Sequence, residues 1–117
     1  MRKTFNRCCR ISSTSEIKKI LFKGRRYTDS LANFYFAHNS GKRARLCVII
    51  SKECGNACLR NRIKRCFREA FRLNREHLIE GTDIIVKVKS NIRDFTYQDA
   101  NQAFLSLCKK AGVLKDE

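Results

Sequence analysis

Proline and tryptophan are absent from the 117-residue chain, and glycine occurs only at positions 24, 41, 55, 81 and 112. The chain has no internal repeat and no low-complexity segment, so its few glycines mark the boundaries between elements. It also lacks an apolar run of about 18 residues, which excludes a membrane-spanning helix. The polar residues that follow Met1 give no export signal, and we expect a cytoplasmic protein.

Acidic residues are scarce as well. The chain carries 26 Lys and Arg against 11 Asp and Glu, a formal net charge of +15 at pH 7. An enzyme of small acidic metabolites does not need that surplus, whereas a partner of nucleic acid does. With 43% hydrophobic residues and eight phenylalanines, the chain is too apolar for a disordered basic tail. Its length predicts one domain, residues 1–117, with one core.

Histidine is rare, and neither His38 nor His77 has an obvious nucleophile as partner. Because the carboxylates are also scattered, we expect no catalytic residue in the protein itself. The seven cysteines are an odd number, which without an export signal indicates reduced thiols. The close pairs Cys8-Cys9 and Cys54-x-x-x-Cys58 lack the spacing of a zinc ribbon, and we expect no metal there.

Local patterns predict an α+β fold. Ser13-x-x-Glu16 is typical of a capping box and opens a short helix that ends before Gly24. Apolar alternation and turn residues predict strands over residues 25–28, 31–38, 45–51 and 82–89, and helical periodicity predicts helices over residues 59–75 and 96–111. The order α-β-β-β-α-β-α predicts a two-layer sandwich with a mixed four-stranded sheet. We expect the second and third strands to form a hairpin, with the nearly continuous apolar run of the third in the centre of the sheet.

The helix over residues 59–75 carries its charge on one side. At about 100° per residue, its apolar and basic positions fall in opposite arcs. The apolar arc holds Leu59, Ile63, Cys66, Phe67, Ala70 and Leu73, and the basic arc holds Arg60, Lys64, Arg65, Arg68, Arg72 and Arg75. Only Glu69 interrupts the basic residues, and like charges one turn apart repel each other. A polyanion recovers that cost by releasing its counterions, so this helix predicts nucleic-acid binding.

Arginine outnumbers lysine on the basic arc, and its planar fork grips phosphate and stacks on bases, which favours RNA. The loop over residues 51–57 either offers backbone N–H groups to a phosphate or only forms a turn around Gly55 and Asn56. A ribosomal or ribosome-assembly protein fits the composition equally well. A basic face that serves solubility or an acidic protein partner is the weaker alternative. DNA binding ranks low, because no helix-turn-helix partner precedes the basic helix.

One segment of the basic helix resembles the signature of a known family. It reads Arg60-Asn61-Arg62-Ile63-Lys64-Arg65-Cys66-Phe67-Arg68-Glu69 and is similar to the Arg-Asn-Arg signature of the bacterial ribonuclease P protein component. The similarity extends upstream through Arg45, Ser51-Lys52 and Gly55-Asn56-Ala57. The resemblance implies a protein that assists a catalytic RNA in removing the 5′ leader of precursor tRNA. It also implies a left-handed crossover through this helix in place of the right-handed default.

The resemblance further implies two sets of site residues. The implied RNA contacts are Arg45, Lys52, Arg60, Asn61, Arg62, Lys64, Arg65, Arg68 and Arg72. A cleft for the leader, between the first helix and the sheet, is implied for Ile17, Leu21, Tyr35, Phe36, Ala37 and Ile49. Several of these depart from the family pattern, because Ile17 and Leu21 replace frequent phenylalanines and Ala37 replaces an aromatic residue. We expect Tyr35 or Phe36 to supply the missing ring, with Tyr35 either stacking on a leader base or packing in the core.

The implied reaction is the hydrolysis of one phosphodiester bond, which needs a divalent metal ion. We expect Mg²⁺, held largely by RNA phosphates, to generate the nucleophilic water and to stabilise the leaving oxygen. The implied partners are the catalytic RNA and precursor tRNA, with no membrane and no DNA. On this interpretation the isolated protein cleaves nothing.

Overall fold

The computed structural model describes residues 10–11, 13–39, 41, 43–89 and 95–115. Its elements are α1 (Thr14–Lys23), β1 (Arg25–Thr28), β2 (Ala32–His38), β3 (Arg45–Ile49), α2 (Ala57–Asn74), β4 (Thr82–Val88) and α3 (Tyr97–Ala111). Short 3-10 turns, Lys52–Cys54 and Arg75–His77, flank α2. The predicted α+β class and order of elements are confirmed. The N-terminal polar segment and the pair Cys8-Cys9 lie outside the described residues.

The four strands of the described part form one mixed sheet in the order β1-β2-β4-β3. β2 runs antiparallel to β1 and β4, whereas β3 runs parallel to β4. The predicted hairpin of β2 and β3 is therefore wrong, because β4 lies between them. The parallel β3–α2–β4 unit agrees with the predicted crossover helix. Its left-handedness is still a prediction.

Strand β3 is an edge strand, although its apolar run predicted a central one. The N–H of Ile11 donates to the carbonyl oxygen of Leu46 over 3.1 Å, and Ile11 is itself buried. Residues 10 and 11 thus cover part of the outer edge of β3, which lets an apolar strand lie there. Strand β4 takes the interior place, and every residue of it except Lys87 is buried.

The main core lies between one face of the sheet and helices α2 and α3. Phe34 of β2, Phe67 and Phe71 of α2, and Phe104 of α3 are fully buried. Their rings meet in edge or tilted arrangements, with centroids 6.0 Å apart for Phe34 and Phe67 and 6.4 Å apart for Phe71 and Phe104. In the described ranges, none of the helices is long and apolar enough to cross a bilayer.

Helix α2 buries a different arc from the predicted one. Phe71 is fully buried, whereas Leu73 is 38% exposed. The two residues lie about 160° apart around a helix with 3.6 residues per turn. The prediction that Leu73 belongs to the apolar arc is wrong, because α3 packs against the Phe71 side through Phe104.

Helix α1 lies on the opposite face of the sheet from α2 and α3, so helices cover both faces instead of forming the two layers predicted. The Ser13 hydroxyl oxygen accepts from the N–H of Glu16, which is one half of the predicted capping box, while the Glu16 carboxylate accepts from Arg45. Ile20 packs on Ile85 of β4 and holds the helix on the sheet. At the other end the chain turns tightly against the sheet. A Cβ on Gly24 would lie 2.4 Å from the carbonyl oxygen of Ile20, so this turn requires glycine.

Candidate nucleic-acid interface

Helix α2 presents the Arg-Asn-Arg segment in its first two turns. Asn56 caps the helix, and its Oδ1 accepts from the N–H of Leu59 over 2.9 Å. The first turn contains no acidic residue, so the positive end of the helix dipole is not neutralised there. The loop before the cap does need a turn, because Gly55 has a φ of 139°. Whether it also receives a phosphate is still a prediction.

We call the basic side of α2 the cationic surface. It comprises Arg60, Asn61, Arg62, Lys64, Arg65, Arg68 and Arg72. Asn61, Arg62 and Arg65 are exposed, and the other four are half-buried. Within the described residues, Arg60, Arg62, Lys64 and Arg65 form no ion pair. These four charges are therefore not neutralised by carboxylates of that part of the chain.

Arg72, at the C-terminal end of the cationic surface, has a carboxylate partner. Its Nε donates to Oε2 of Glu69 over 3.0 Å. This hydrogen bond raises the pKa of Arg72 and lowers the pKa of Glu69, because it favours both charged forms. Glu69 thus neutralises part of the C-terminal half of the surface. The uncompensated charge is concentrated in the N-terminal half, where the Arg-Asn-Arg segment lies.

Two cations of the cationic surface lie beside Cys47, at the edge of the sheet formed by β3. Burial raises the pKa of the Cys47 thiol, and the positive charges of Arg68 and Lys64 act in the opposite direction. Both cations therefore lie close to the face of β3 that carries Cys47. Burial also lowers the pKa of Arg68, with a further contribution from the charge of Arg10. Cations from α2 and from residue 10 thus converge on this edge of the sheet.

An apolar cluster lies between α1 and the sheet, and we call it the α1 cleft. Its half-buried members Ile17, Leu21, Tyr35, Ala37, Cys47 and Ile49 pack on the buried residues Ile11, Ile20 and Ile85. Five of the predicted cleft residues are thus brought together. Sequence reasoning missed Cys47 and Ile85, although strand alternation gives a signal for both. Ile85 is the register partner of Tyr35 on one side and of Cys47 on the other.

Phe36 does not belong to the α1 cleft. It is 1% exposed, and its ring lies 5.8 Å from the ring of Tyr27 and 6.0 Å from that of Phe34, in the main core. Neighbouring residues of a strand point to opposite faces, so Phe36 and Tyr35 cannot share one surface. The prediction that Phe36 lines the cleft is therefore wrong. Tyr35 is the aromatic residue of the cleft as the structure describes it.

Arg45 is held by carboxylates from two elements. Its Nε and Nη2 donate to Asp83 of β4 over 2.9 and 2.8 Å, and Nη2 also donates to Glu16 of α1 over 2.7 Å. These hydrogen bonds raise the pKa of Arg45 further above its usual range. Arg45 thus ties α1 to the sheet, a structural role that the sequence does not reveal. Its contact with RNA is still a prediction, as is that of Lys52, which is exposed in the turn before α2.

A basic helix beside an apolar cleft, on a mixed sheet, defines a class of small α+β proteins suited to hold a polyanion. The comparison with known proteins identifies the family within this class. The family model described as ribonuclease P matches residues 5–112, which is most of the chain. The chain therefore belongs to the ribonuclease P protein family.

Individual relatives agree with the family model over almost their whole length. The chain is 32% identical over 105 residues to the ribonuclease P protein component of Clostridium botulinum, covering 89% of this chain and 95% of that protein. It is 36% identical over 107 residues to that of Finegoldia magna, covering 91% and 93%. The structure is similar to that of Staphylococcus aureus RNase P protein, with a TM-score of 0.83 at 30% identity over 92% of this chain and 98% of that one.

Proposed function

We propose that this chain is the protein subunit of a cytoplasmic ribonuclease P holoenzyme. It binds the catalytic RNA and the 5′ leader of precursor tRNA, and it assists the Mg²⁺-dependent removal of the leader to give the mature 5′ end. One observation carries most of the proposal. The Arg-Asn-Arg segment lies at the acid-free start of α2 in a chain of the ribonuclease P family.

The N-terminal half of the cationic surface binds the catalytic RNA. Arg62 and Arg65 are exposed, and each can grip a phosphate through two donors of its guanidinium fork. Asn61, which directly precedes Arg62 and is also exposed, offers an amide donor and acceptor, which suit a base edge or a 2′-hydroxyl group. Because every phosphate contact releases counterions, this binding weakens steeply as salt is added.

The α1 cleft takes the leader. Its half-buried apolar side chains give unstacked bases a surface, and the Tyr35 ring offers a stacking position. Lys64 and Arg68 lie near Cys47 at the border of the cleft, where they meet the phosphates of the same strand. Stacking and charge together favour a single strand without strong sequence preference. Since mature tRNA lacks the leader, these contacts favour the precursor.

The protein contributes position and charge rather than reacting groups. Among the described residues, no three His, Cys, Asp or Glu side chains come together as a metal site needs. Phosphates of the RNA would hold Mg²⁺, which would supply the activation of water and the stabilisation of the leaving oxygen. The protein lowers the repulsion between the phosphates of the two RNAs and fixes the leader against them.

Reconstitution tests this proposal. The chain is combined with a bacterial ribonuclease P RNA and a leader-bearing tRNA at a Mg²⁺ concentration where the RNA alone is slow. We expect the protein to accelerate release of the leader, and we expect no cleavage by the protein without RNA. Cleavage by RNA-free protein that depends on one of its carboxylates would contradict the division of labour. Recovery of ribosomal RNA, instead of one tRNA-processing RNA, in a pull-down from cells would contradict the function.

A further inference from the structure

A groove lies along the flank of α1 opposite Ile17 and Leu21, and it shares Ile20 and Ala37 with the α1 cleft. Its cavity of about 570 Å³ lies between α1 and the ends of β2, β3 and β4. Lys19 and Lys23, one helical turn apart, line it from α1, and Arg25 lines it from β1. All three are exposed, and the half-buried Ala37 supplies apolar surface. We call this feature the sheet-end groove.

The two carboxylates of the sheet-end groove do not cancel its charge. Glu16 and Asp83 both accept hydrogen bonds from Arg45, and Asp83 also accepts from Nδ2 of Asn39 over 2.6 Å. Asp83 is 3% exposed, so its charge is balanced inside the protein. Within the described residues, the three cations Lys19, Lys23 and Arg25 form no ion pair. The groove therefore presents positive charge to solvent.

The groove continues around the end of the sheet. A second cavity of about 220 Å³ shares Arg25, Ala37 and His38 with the first and extends to Ile79 and Gly112. Ile79 is 41% exposed, and His38 is exposed as well. Apolar and ring surfaces thus follow the cations along one continuous path. Cationic and apolar surfaces along one path suit single-stranded RNA, which carries both phosphates and unpaired bases.

We propose that the sheet-end groove is a second RNA-binding site, in which Lys19, Lys23 and Arg25 hold the phosphates of a single-stranded segment. An acidic peptide would satisfy the cations but would leave Ile79 and His38 without a matching group, whereas each nucleotide offers a base as well. The inference rests on the proposed function in taking RNA as the ligand. With this site, α1 lies between two RNA contacts, the leader on one side and a second strand on the other.

An NMR titration of the 15N-labelled chain, which has a mass of 13.7 kDa, tests the site directly. The probes are a short single-stranded oligouridylate and an oligoglutamate of equal length. We expect oligouridylate to shift the amide resonances of Lys19, Lys23, Arg25 and His38, in addition to those of the cationic surface. The proposal is overturned if the resonances of these four residues do not shift with oligouridylate, or if they shift only with oligoglutamate.

A charge-matched pair of variants extends the test to the holoenzyme. The groove variant is Lys19→Ala with Lys23→Ala, and the control is Lys109→Ala with Lys110→Ala, two exposed residues in the last turn of α3. In the groove variant, the slope of log affinity against log salt should fall by about 0.7 for each phosphate that the substituted lysines no longer bind. Equal slopes for the two variants would overturn the proposed RNA site in the sheet-end groove, but they would not affect the proposed function. The proposed function fails on a separate result, namely no acceleration of leader release by the unsubstituted chain.

Discussion

The guanidinium of Arg45 donates two hydrogen bonds to the carboxylate of Asp83, over 2.9 Å from Nε and 2.8 Å from Nη2. The two residues are also register partners in the parallel β3–β4 pair. Glu16 extends the pair to α1. This three-residue cluster fixes the helix that separates the α1 cleft from the sheet-end groove, so its disruption should affect both stability and RNA binding.

Removing the buried partner of Arg45 should destabilise the fold. We expect Asp83→Ala to lower the free energy of unfolding by about 3 kcal/mol, because it leaves the half-buried guanidinium without its main carboxylate. Glu16→Gln removes only the exposed partner and should cost less than about 1 kcal/mol. Urea unfolding of both variants measures the difference. Equal losses would show that Asp83 has no special role.

Truncating one exposed arginine of the cationic surface should weaken association with the catalytic RNA. We expect Arg65→Ala to reduce the slope of log affinity against log salt by about one phosphate contact, roughly 0.7 to 0.9. The substitution leaves the buried face of α2 unchanged, so the thermal midpoint should stay the same. Lys110→Ala on α3 is the control. An unchanged slope for Arg65→Ala would show that Arg65 does not contact a phosphate of the RNA.

Tyr35 should discriminate precursor from mature tRNA. Loss of a stacking ring costs about 1 kcal/mol or more per base, so Tyr35→Ala should raise the KM for precursor by about fivefold or more. Tyr35→Phe keeps the ring and should restore the KM. Affinity for mature tRNA, which has no leader, should not change. Equal losses for both RNAs would assign Tyr35 to packing instead.

The cysteines should differ in their reactivity toward iodoacetamide. Burial raises the pKa of Cys108, which leaves little thiolate to react, whereas Cys58 is exposed in the first turn of α2. Mass spectrometry at mildly alkaline pH should therefore find Cys58 alkylated early and Cys108 only after unfolding. Bound catalytic RNA should slow the alkylation of Cys58, which precedes the Arg-Asn-Arg segment. An unaltered rate at Cys58 in the complex would place the RNA elsewhere.

The elements themselves could be predicted because their signals are local. Thr96 begins α3 with a capping box to Asp99, and Gly112 ends it with a left-handed φ of 72°. The strand order has no such signal. It depends on the pairing of Tyr35 with Ile85, which inserts β4 between strands that look like a hairpin in sequence. A turn-rich loop between two apolar runs favours a hairpin only when no third strand competes for the same edge.

The functional residues also divide into those that local patterns predict and those that depend on the tertiary structure. Five members of the cationic surface follow from helical periodicity, whereas Asn61 and Arg62 follow from the family resemblance. Five residues of the α1 cleft follow from the family resemblance, but Phe36 does not, because strand alternation places it on the core face. The contact of Arg45 with Asp83 joins residues far apart in the chain, and no local pattern reveals it. The sheet-end groove is likewise visible only once α1 lies on the sheet.

Helices α2 and α3 bury the aromatic layer on one face of the sheet, and α1 covers the other face. The sheet therefore separates two hydrophobic clusters, and a mutation in one cluster need not disturb packing in the other. Substitution of Ile17, Leu21 or Ile49 should therefore leave the packing of the phenylalanines intact. Ligand preference in such a protein can change at little thermodynamic cost.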